Sequence, residues 1–263
     1  MSEPLRITVS NQKGGVGKTS SVITLARCFA DEGKRVLMID TDPQGNIWTT
    51  FSKGTMFQGG KQPEYWVHHL FSEEPVAATK MTMEIHPGID AIFSNRSTFY
   101  AEGRLGNTTA KETMLTSLLS IVEEKYDVVL IDVAPSISHL QTCSVAYTRN
   151  ILIPIGMDSL SIEGAVSSLG TVSILNQRLK LGCRCLGFMP TMVDQRLSAT
   201  EYVMHSLEKQ SAIYGVPVLP SIRTDQAMNK SMRSHQFLQD YDQKSKALQY
   251  YQRIAALLVS TPN

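Results

Sequence analysis

No apolar run in this sequence reaches the roughly 18 residues that a membrane span needs. Cysteine is scarce, with only Cys28, Cys143, Cys183 and Cys185 in the whole chain. Their spacing fits no zinc set, and the six histidines are scattered without an H-E-x-x-H pair. The four thiols are therefore expected to be reduced packing residues, with Cys183 and Cys185 on one side of a strand. An excess of one charge is missing too. The formal net charge is +1, so no global field argues for a nucleic-acid partner. Met1 to Arg6 is too short and polar for a signal peptide. There is no internal repeat, no low-complexity tract and no linker long enough to separate a pair of domains. A cytoplasmic location is expected.

What is present is the composition of a folded soluble chain, 42% apolar and 19% charged over 263 residues. That length suits one large domain, 1–263. Apolar strand-like runs recur at Leu5–Val9, Arg35–Ile39, Ile89–Phe93, Val128–Ile131, Ile151–Ile155, Leu186–Met192 and Val216–Leu219. Helical patterns lie between most of them. This alternation predicts an α/β fold, a mainly parallel twisted sheet with helices on both faces. Residues 51–88 are the least regular, with Gly54, Gly59, Gly60, Pro63, Pro75 and Pro87. Short helices and loops over one edge of the sheet are expected there, with Trp66, His68, His69 and Phe71 packing them down.

The chemistry concentrates in Asn11-Gln-Lys-Gly-Gly-Val-Gly-Lys-Thr-Ser20, which follows the first strand. Gly17, Lys18 and Thr19 fill the end of the phosphate-loop pattern G-x-x-x-x-G-K-[ST]. Gln12 stands where its first glycine belongs, so Gly14 and Gly15 take over the tight turn. Glycines let backbone N–H groups converge on phosphate oxygens. A helix from about Lys18 to Asp31 adds its positive end. Lys18 is placed on the β- and γ-phosphates of ATP, and the Thr19 hydroxyl on Mg²⁺. Two further acidic segments follow. Asp40-Thr-Asp42-Pro-Gln-Gly-Asn46 ends the second strand, where α/β folds place ligands. Asp127-Val-Val-Leu-Ile-Asp132 is a buried strand ending in an acid, and Asp132 would hold Mg²⁺ through water or through Thr19.

The extra lysine, Lys13, narrows the reading. Lys13-Gly14-Gly15-Val16-Gly17-Lys18-Thr19-Ser20 resembles the deviant Walker A loop of the ParA/MinD ATPases, a P-loop NTPase family. In that family the first lysine reaches across a dimer to the partner's nucleotide, so the resemblance makes Lys13 a trans-acting residue. The D-x-D-P-Q-G-N run also resembles the family. It implies that Asp42 positions the attacking water and that Asp40 sits near Mg²⁺. Val133-Ala-Pro-Ser136 keeps one of the two prolines usual there. Leu186–Arg196 resembles the segment that passes the adenine, at Met192 and Asp194, and then presents an arginine. Val218–Gln226 resembles the late I-P-R loop, but Ile222 is followed by Arg223 and Thr224, so the proline that lies against adenine is absent. Tyr241–Lys246 matches the stretch before the last helix.

The resemblance is closest to ParA-type partitioning ATPases. It implies hydrolysis of MgATP, an ATP-bound homodimer, non-specific duplex DNA on the nucleoid, and a ParB-like adaptor that triggers turnover. Residues 195–263 hold 8 basic against 5 acidic residues, while residues 1–194 hold 17 against 19. The DNA surface is expected at Arg196, Arg223, Lys230 and Arg233, with Lys244 and Lys246 as outer members, all off the phosphate site. Lys230 and Arg233, three apart, would share a helix face. With only Met1 to Pro4 before the first strand, no operator-reading domain is expected. The last helix, about Ser245–Val259, offers few basic residues, so core packing is expected and a stable membrane anchor is not. Three alternatives stay open: an ATPase that positions a protein cargo, a MinD-like membrane regulator, and a reductase or ligase on the same scaffold.

Overall fold

The computed structural model describes residues 3–54 and 62–260, so Gly59 and Gly60 of the irregular stretch lie outside the described residues. One sheet orders the chain: β1 (Leu5–Val9), β2 (Val36–Asp40), β3 (Met83–His86), β4 (Ile89–Ile92), β5 (Val128–Asp132), β6 (Asn150–Ile155) and β7 (Arg184–Pro190). The spatial order is β3-β4-β2-β5-β1-β6-β7. Neighbours pair in parallel except β3 with β4. Successive strands pass first to one side of β1 and then to the other. A crevice therefore opens above the carboxyl end of β1, where such sheets take ligands.

Side chains alternate across the sheet, and each face has its own core. On β5, Val128 and Leu130 face one layer, while Val129 and Ile131 face the other. The first layer holds α1 (Lys18–Asp31), α2 (Asn46–Phe51) and, from the end of the chain, α8 (Gln226–Arg233), α9 (Leu238–Tyr241) and α10 (Lys246–Ser260). The second holds α3 (Phe99–Gly106), α4 (Met114–Glu123) and α5 (His139–Thr148), continued over β6 and β7 by α6 (Ser159–Leu179) and α7 (Ser198–Tyr214). Helix α1 buries Val22, Ile23, Leu25, Ala26 and Phe29 completely and stops at Gly33, whose φ of +78° suits the left-handed turn after a helix end.

Two expectations are corrected. Val216–Leu219 is not a strand: Val218 makes one isolated bridge to Phe188. Phe188 N–H donates to Pro217 O at 2.9 Å and Leu219 N–H to Phe188 O at 2.8 Å, but Pro217 and Pro220 have no N–H to donate, so the pairing stops at that one bridge. Conversely, β3 lies inside the stretch expected to hold only short helices and loops. It turns back onto β4 through Pro87 and Gly88, with Gly88 at φ +82°. The described residues of that stretch before β3 pack down through Val67, Leu70 and Phe71 against β2 and β4, and none of them lines the cleft described below.

The four cysteines are free thiols, three of them buried, and burial raises all four, Cys28, Cys143 and Cys185 to about 12. Cys183 precedes β7 instead of lying in it, yet both Cys183 and Cys185 pack against the same core. On α10, Leu248, Tyr251, Ile254 and Leu258 are buried against the core that includes α1, so the apolar face of the last helix is already covered. Among the described residues no helix is long and apolar enough to cross a membrane.

Candidate active site

The loop after β1 is fixed from below before it meets any ligand. Ser10 N–H donates to Leu152 O at 3.0 Å, continuing the sheet. Asn11, fully buried, donates from Nδ2 to Pro154 O at 2.8 Å and to Ser161 O at 3.0 Å, and accepts Lys13 N–H at 2.8 Å. Gly15 (φ +78°) and Gly17 (φ +85°) adopt left-handed backbone that a side chain would strain. Helix α1 starts at Lys18, so its unpaired N–H groups face the same space.

Lys18 is buried, and its Nζ donates to Lys13 O at 3.2 Å. Burial lowers its pKa, and the nearby Asp132 and Asp42 carboxylates oppose that shift. Thr19 Oγ1 donates to Asp132 Oδ2 at 2.6 Å. In the register of the sheet, Val9 and Asp40 both pair with Asp132, so the ends of three strands meet at this point. Asp40 Oδ1 accepts Asp42 N–H at 2.9 Å and its Oδ2 accepts Ile47 N–H at 3.1 Å. Asp40 thus shapes the loop that presents Asp42. Asp42 in turn accepts Gln44 N–H at 2.9 Å. The loop closes at Gly45 (φ +60°), where an added Cβ would come 2.5 Å from Ser94 O.

Two fully buried carboxylates side by side are an unfavourable arrangement without a cation. Burial first, and Asp132 second, hold the Asp40 carboxyl well above its ordinary range. Asp132 is pushed up to about 7, mainly by burial, against the Thr19 hydrogen bond and Lys18. Its Oδ1 is buried without a hydrogen-bond partner. These residues fit Mg²⁺: a hydroxyl, an orphaned carboxylate oxygen and an excess of negative charge. Among the described residues no cluster of three acidic, His or Cys side chains forms a complete cage. A cation held by Thr19 and Asp132 would take its other ligands from phosphate oxygens and water.

The space above is a cleft of about 860 Å³. Gly14, Gly15, Gly17, Lys18, Thr19 and Ser20 form its floor, Asp42 and Gln44 one side, and Thr191, Met192, Ile222, Arg223 and Thr224 another. Met192 is left-handed at φ +54° and about half exposed on that wall. Such a backbone in a residue other than glycine is uncommon and gathers at ligand sites. Asp194 is not on the lining. Its carboxylate takes Arg196 twice, Oδ1 from Nε at 2.9 Å and Oδ2 from Nη2 at 2.6 Å. That pairing holds its pKa down at about 2. Val16 is buried beneath the loop, and Lys13, half-buried, is not among the residues lining the cleft of its own chain.

The six basic residues assigned to DNA are all exposed. Arg223 donates to Gln195 Oε1 at 3.1 Å, beside Arg196. Lys230 and Arg233 lie in the last turn of α8, and Lys244 and Lys246 lead into α10. Asp225 ties these segments together, capping α8 through Ala227 N–H and accepting Ser245 Oγ at 2.7 Å. Arg223 and Arg233 both line the cleft whose floor is the phosphate loop. Helix α8 brings Met228, Asn229 and Met232 onto the same wall, and α10 brings Tyr251.

Sequence reasoning missed Asn11, Gly164 and Thr191. Thr191 Oγ1 donates to Val16 O at 2.9 Å, fastening the end of β7 to the loop. A polar residue at the tip of an apolar strand was the available signal for Asn11 and Thr191; Gly164, inside a helix, gave none.

A family model described as an AAA domain matches residues 5–182. The chromosome partitioning protein ParA of Caulobacter vibrioides is 30% identical over 262 residues, covering 98% of this chain and 95% of its own. The chromosome-partitioning ATPase Soj of Thermus thermophilus is 33% identical over 198 residues, covering 75% of this chain and 73% of its own. A crystal structure of cobyrinic acid a,c-diamide synthase from Mycobacterium smegmatis, with bound ATP analog and magnesium, superposes with a TM-score of 0.78. It is 26% identical and covers 97% of this chain and 94% of that one.

Proposed function

Because this chain belongs to the ParA/MinD-type family of P-loop ATPases, we propose that it is a partitioning ATPase that pairs on ATP, grips duplex DNA without sequence preference and releases it when a ParB-like adaptor stimulates hydrolysis. Its substrate and metal are ATP and Mg²⁺. It would work in the cytoplasm, on the nucleoid, as a single domain.

One observation carries the reading: a single loop holds two lysines, and only Lys18 lines its own cleft. The loop amides and the start of α1 bind the phosphates. Lys18, released from Lys13 O, neutralises the β- and γ-oxygens. Thr19 and Asp132 hold Mg²⁺, which when bound offsets phosphate charge. Asp42, on the side wall, orients the attacking water. Lys13 reaches the nucleotide of a second copy, in the manner of an arginine finger. The exposed apolar residues Ile137 and Leu160 follow β5 and β6 at this same sheet edge and support a face that pairs. Two copies double the exposed basic residues of the region from Arg196 to Lys246, which ties DNA affinity to the nucleotide state.

The likeness to a cobyrinic acid a,c-diamide synthase supports a second reading, a ligase on the same scaffold. Asp42→Ala with MgATP separates the two. On the partitioning reading it forms a dimer by light scattering, and that dimer binds random duplex DNA with an affinity that falls steeply with salt. A variant that stays monomeric at saturating MgATP, or that binds DNA equally with ADP, removes this reading.

A further inference from the structure

Asn11 uses its whole side chain on three separate elements: the end of β6 at Pro154 O, the first turn of α6 at Ser161 O, and Lys13 N–H. Gly164, one turn further along α6, closes over that contact. An added Cβ there would stand 2.2 Å from Asn11 Oδ1, 2.9 Å from Lys13 N and 3.3 Å from Lys13 Cβ. Only glycine fits at this separation. Helix α6 is therefore seated directly against the backbone of Lys13.

Phosphate binding does not explain this seat. The amides that line the cleft begin at Gly14, and neither Asn11 nor Gly164 lines it. What the contact does fix is the peptide and Cβ of Lys13, hence the direction in which that side chain leaves the loop. Lys18 makes its own contact to Lys13 O and must give it up to reach a phosphate. The Asn11 hold on Lys13 N–H survives that change.

We propose that Asn11 and Gly164 are positioning residues for Lys13, a clamp between the phosphate loop and α6 that aims the lysine out of its own cleft. The inference rests on the reading above, in which Lys13 acts on a second copy's nucleotide. Neither clamp residue touches ATP, so the clamp acts on turnover through Lys13 and leaves nucleotide affinity to the loop amides.

A double-mutant cycle tests it. The full chain is prepared as Asn11→Ala, Gly164→Ala, Lys13→Gln and the two doubles with Lys13→Gln. Each is measured for hydrolysis at saturating MgATP, for affinity toward a fluorescent ATP analogue and for Tm. Misaiming a reactive group by about 1 Å can lower rate by about a hundredfold, so kcat should fall strongly in each clamp variant while KM changes by less than about threefold. In the Lys13→Gln background the same substitutions should lower kcat no further, because they act through a lysine already gone. A purely structural contact would instead give multiplied losses in the doubles, and that result overturns the inference. A rise in KM at unchanged kcat overturns it too. If Gly164→Ala does not fold, the Asn11→Ala arm, which removes the clamp without a clash, decides the question by itself. Wild-type turnover in Lys13→Gln alone would mean that the catalytic reading of Lys13 has failed, whereas loss there with unaffected clamp variants would sink only the clamp.

Discussion

Replacing Asp132 with Asn should change how the stability of the metal-free protein responds to pH. In the folded chain this carboxyl is fully buried next to Asp40, and its pKa is raised from 3.8 to about 7. A raised pKa means that the folded state binds the proton more tightly than the unfolded chain does. Its favourable contribution is complete below about pH 4 and is lost as pH rises through about 7. One unit is about 1.4 kcal/mol, so a shift of about three units amounts to roughly 4 kcal/mol across that window. Asp40 moves in the same direction for the same reason and steepens the effect.

Asp225, with its pKa lowered, contributes in the opposite sense and below about pH 4, so the raw curve over a wide pH range mixes opposing terms. The informative quantity is the difference between wild type and Asp132→Asn. The amide keeps an oxygen for the Thr19 hydroxyl and carries no charge. The variant should therefore gain on the wild type from about pH 4 to about pH 7 and level off above that. Urea unfolding in chelator, without nucleotide, at several pH values measures this. MgATP should flatten the wild-type curve, because a bound cation replaces the proton as counter-charge. A wild-type-minus-variant difference that does not change with pH would refute the argument that burial raises the Asp132 carboxyl despite the nearby Lys18.

Much of this site was legible because its chemistry is contiguous in the chain. The loop from Lys13 to Ser20 carries its own glycines, lysine and hydroxyl, and a helix over Lys18–Asp31 was both read and found. The central strands were read to within a residue or two, because parallel strands covered on both faces are unbroken apolar runs. The same rule misled at Val216–Leu219, an apolar run in which Pro217 and Pro220 limit the pairing to one bridge. It was silent at Met83–His86, where polar residues alternate and the pairing comes from the Pro87-Gly88 turn. What could not be read is what distant segments do to one another. Asn11 reaches Pro154 and Ser161, Thr191 reaches Val16, and Gly164 is necessary only because α6 lands on Lys13. Arg233 reaches the cleft because α8 folds over it, held by the Asp225 cap and its bond to Ser245. No spacing in the sequence encodes that fold-back, so a basic residue that lines the cleft was read as part of a DNA surface alone.

Two further outcomes follow from particular contacts. Glu123, buried, pairs with Arg6 at 2.8 Å and accepts the Tyr147 hydroxyl at 2.5 Å. Glu123→Ala removes the bidentate partner of Arg6, which keeps only Glu3 at 3.4 Å, and the acceptor of Tyr147, and should lower unfolding free energy by about 3 kcal/mol, read by urea titration, with ATP affinity unchanged. Arg223→Ala and Arg233→Ala should weaken DNA binding to all sequences alike, and because both side chains line the cleft they should also weaken nucleotide binding. A charge-assisted hydrogen bond contributes about 1.5 to 3 kcal/mol, so the nucleotide Kd should rise about tenfold or more. Arg196→Ala is the control, since its guanidinium lies on Asp194 outside the lining and should affect DNA alone. Fluorescent-nucleotide titration beside DNA titration separates the two effects. Unchanged nucleotide Kd in both Arg223→Ala and Arg233→Ala would mean that this wall of the cleft does not touch the nucleotide, and the two arginines would return to serving DNA only.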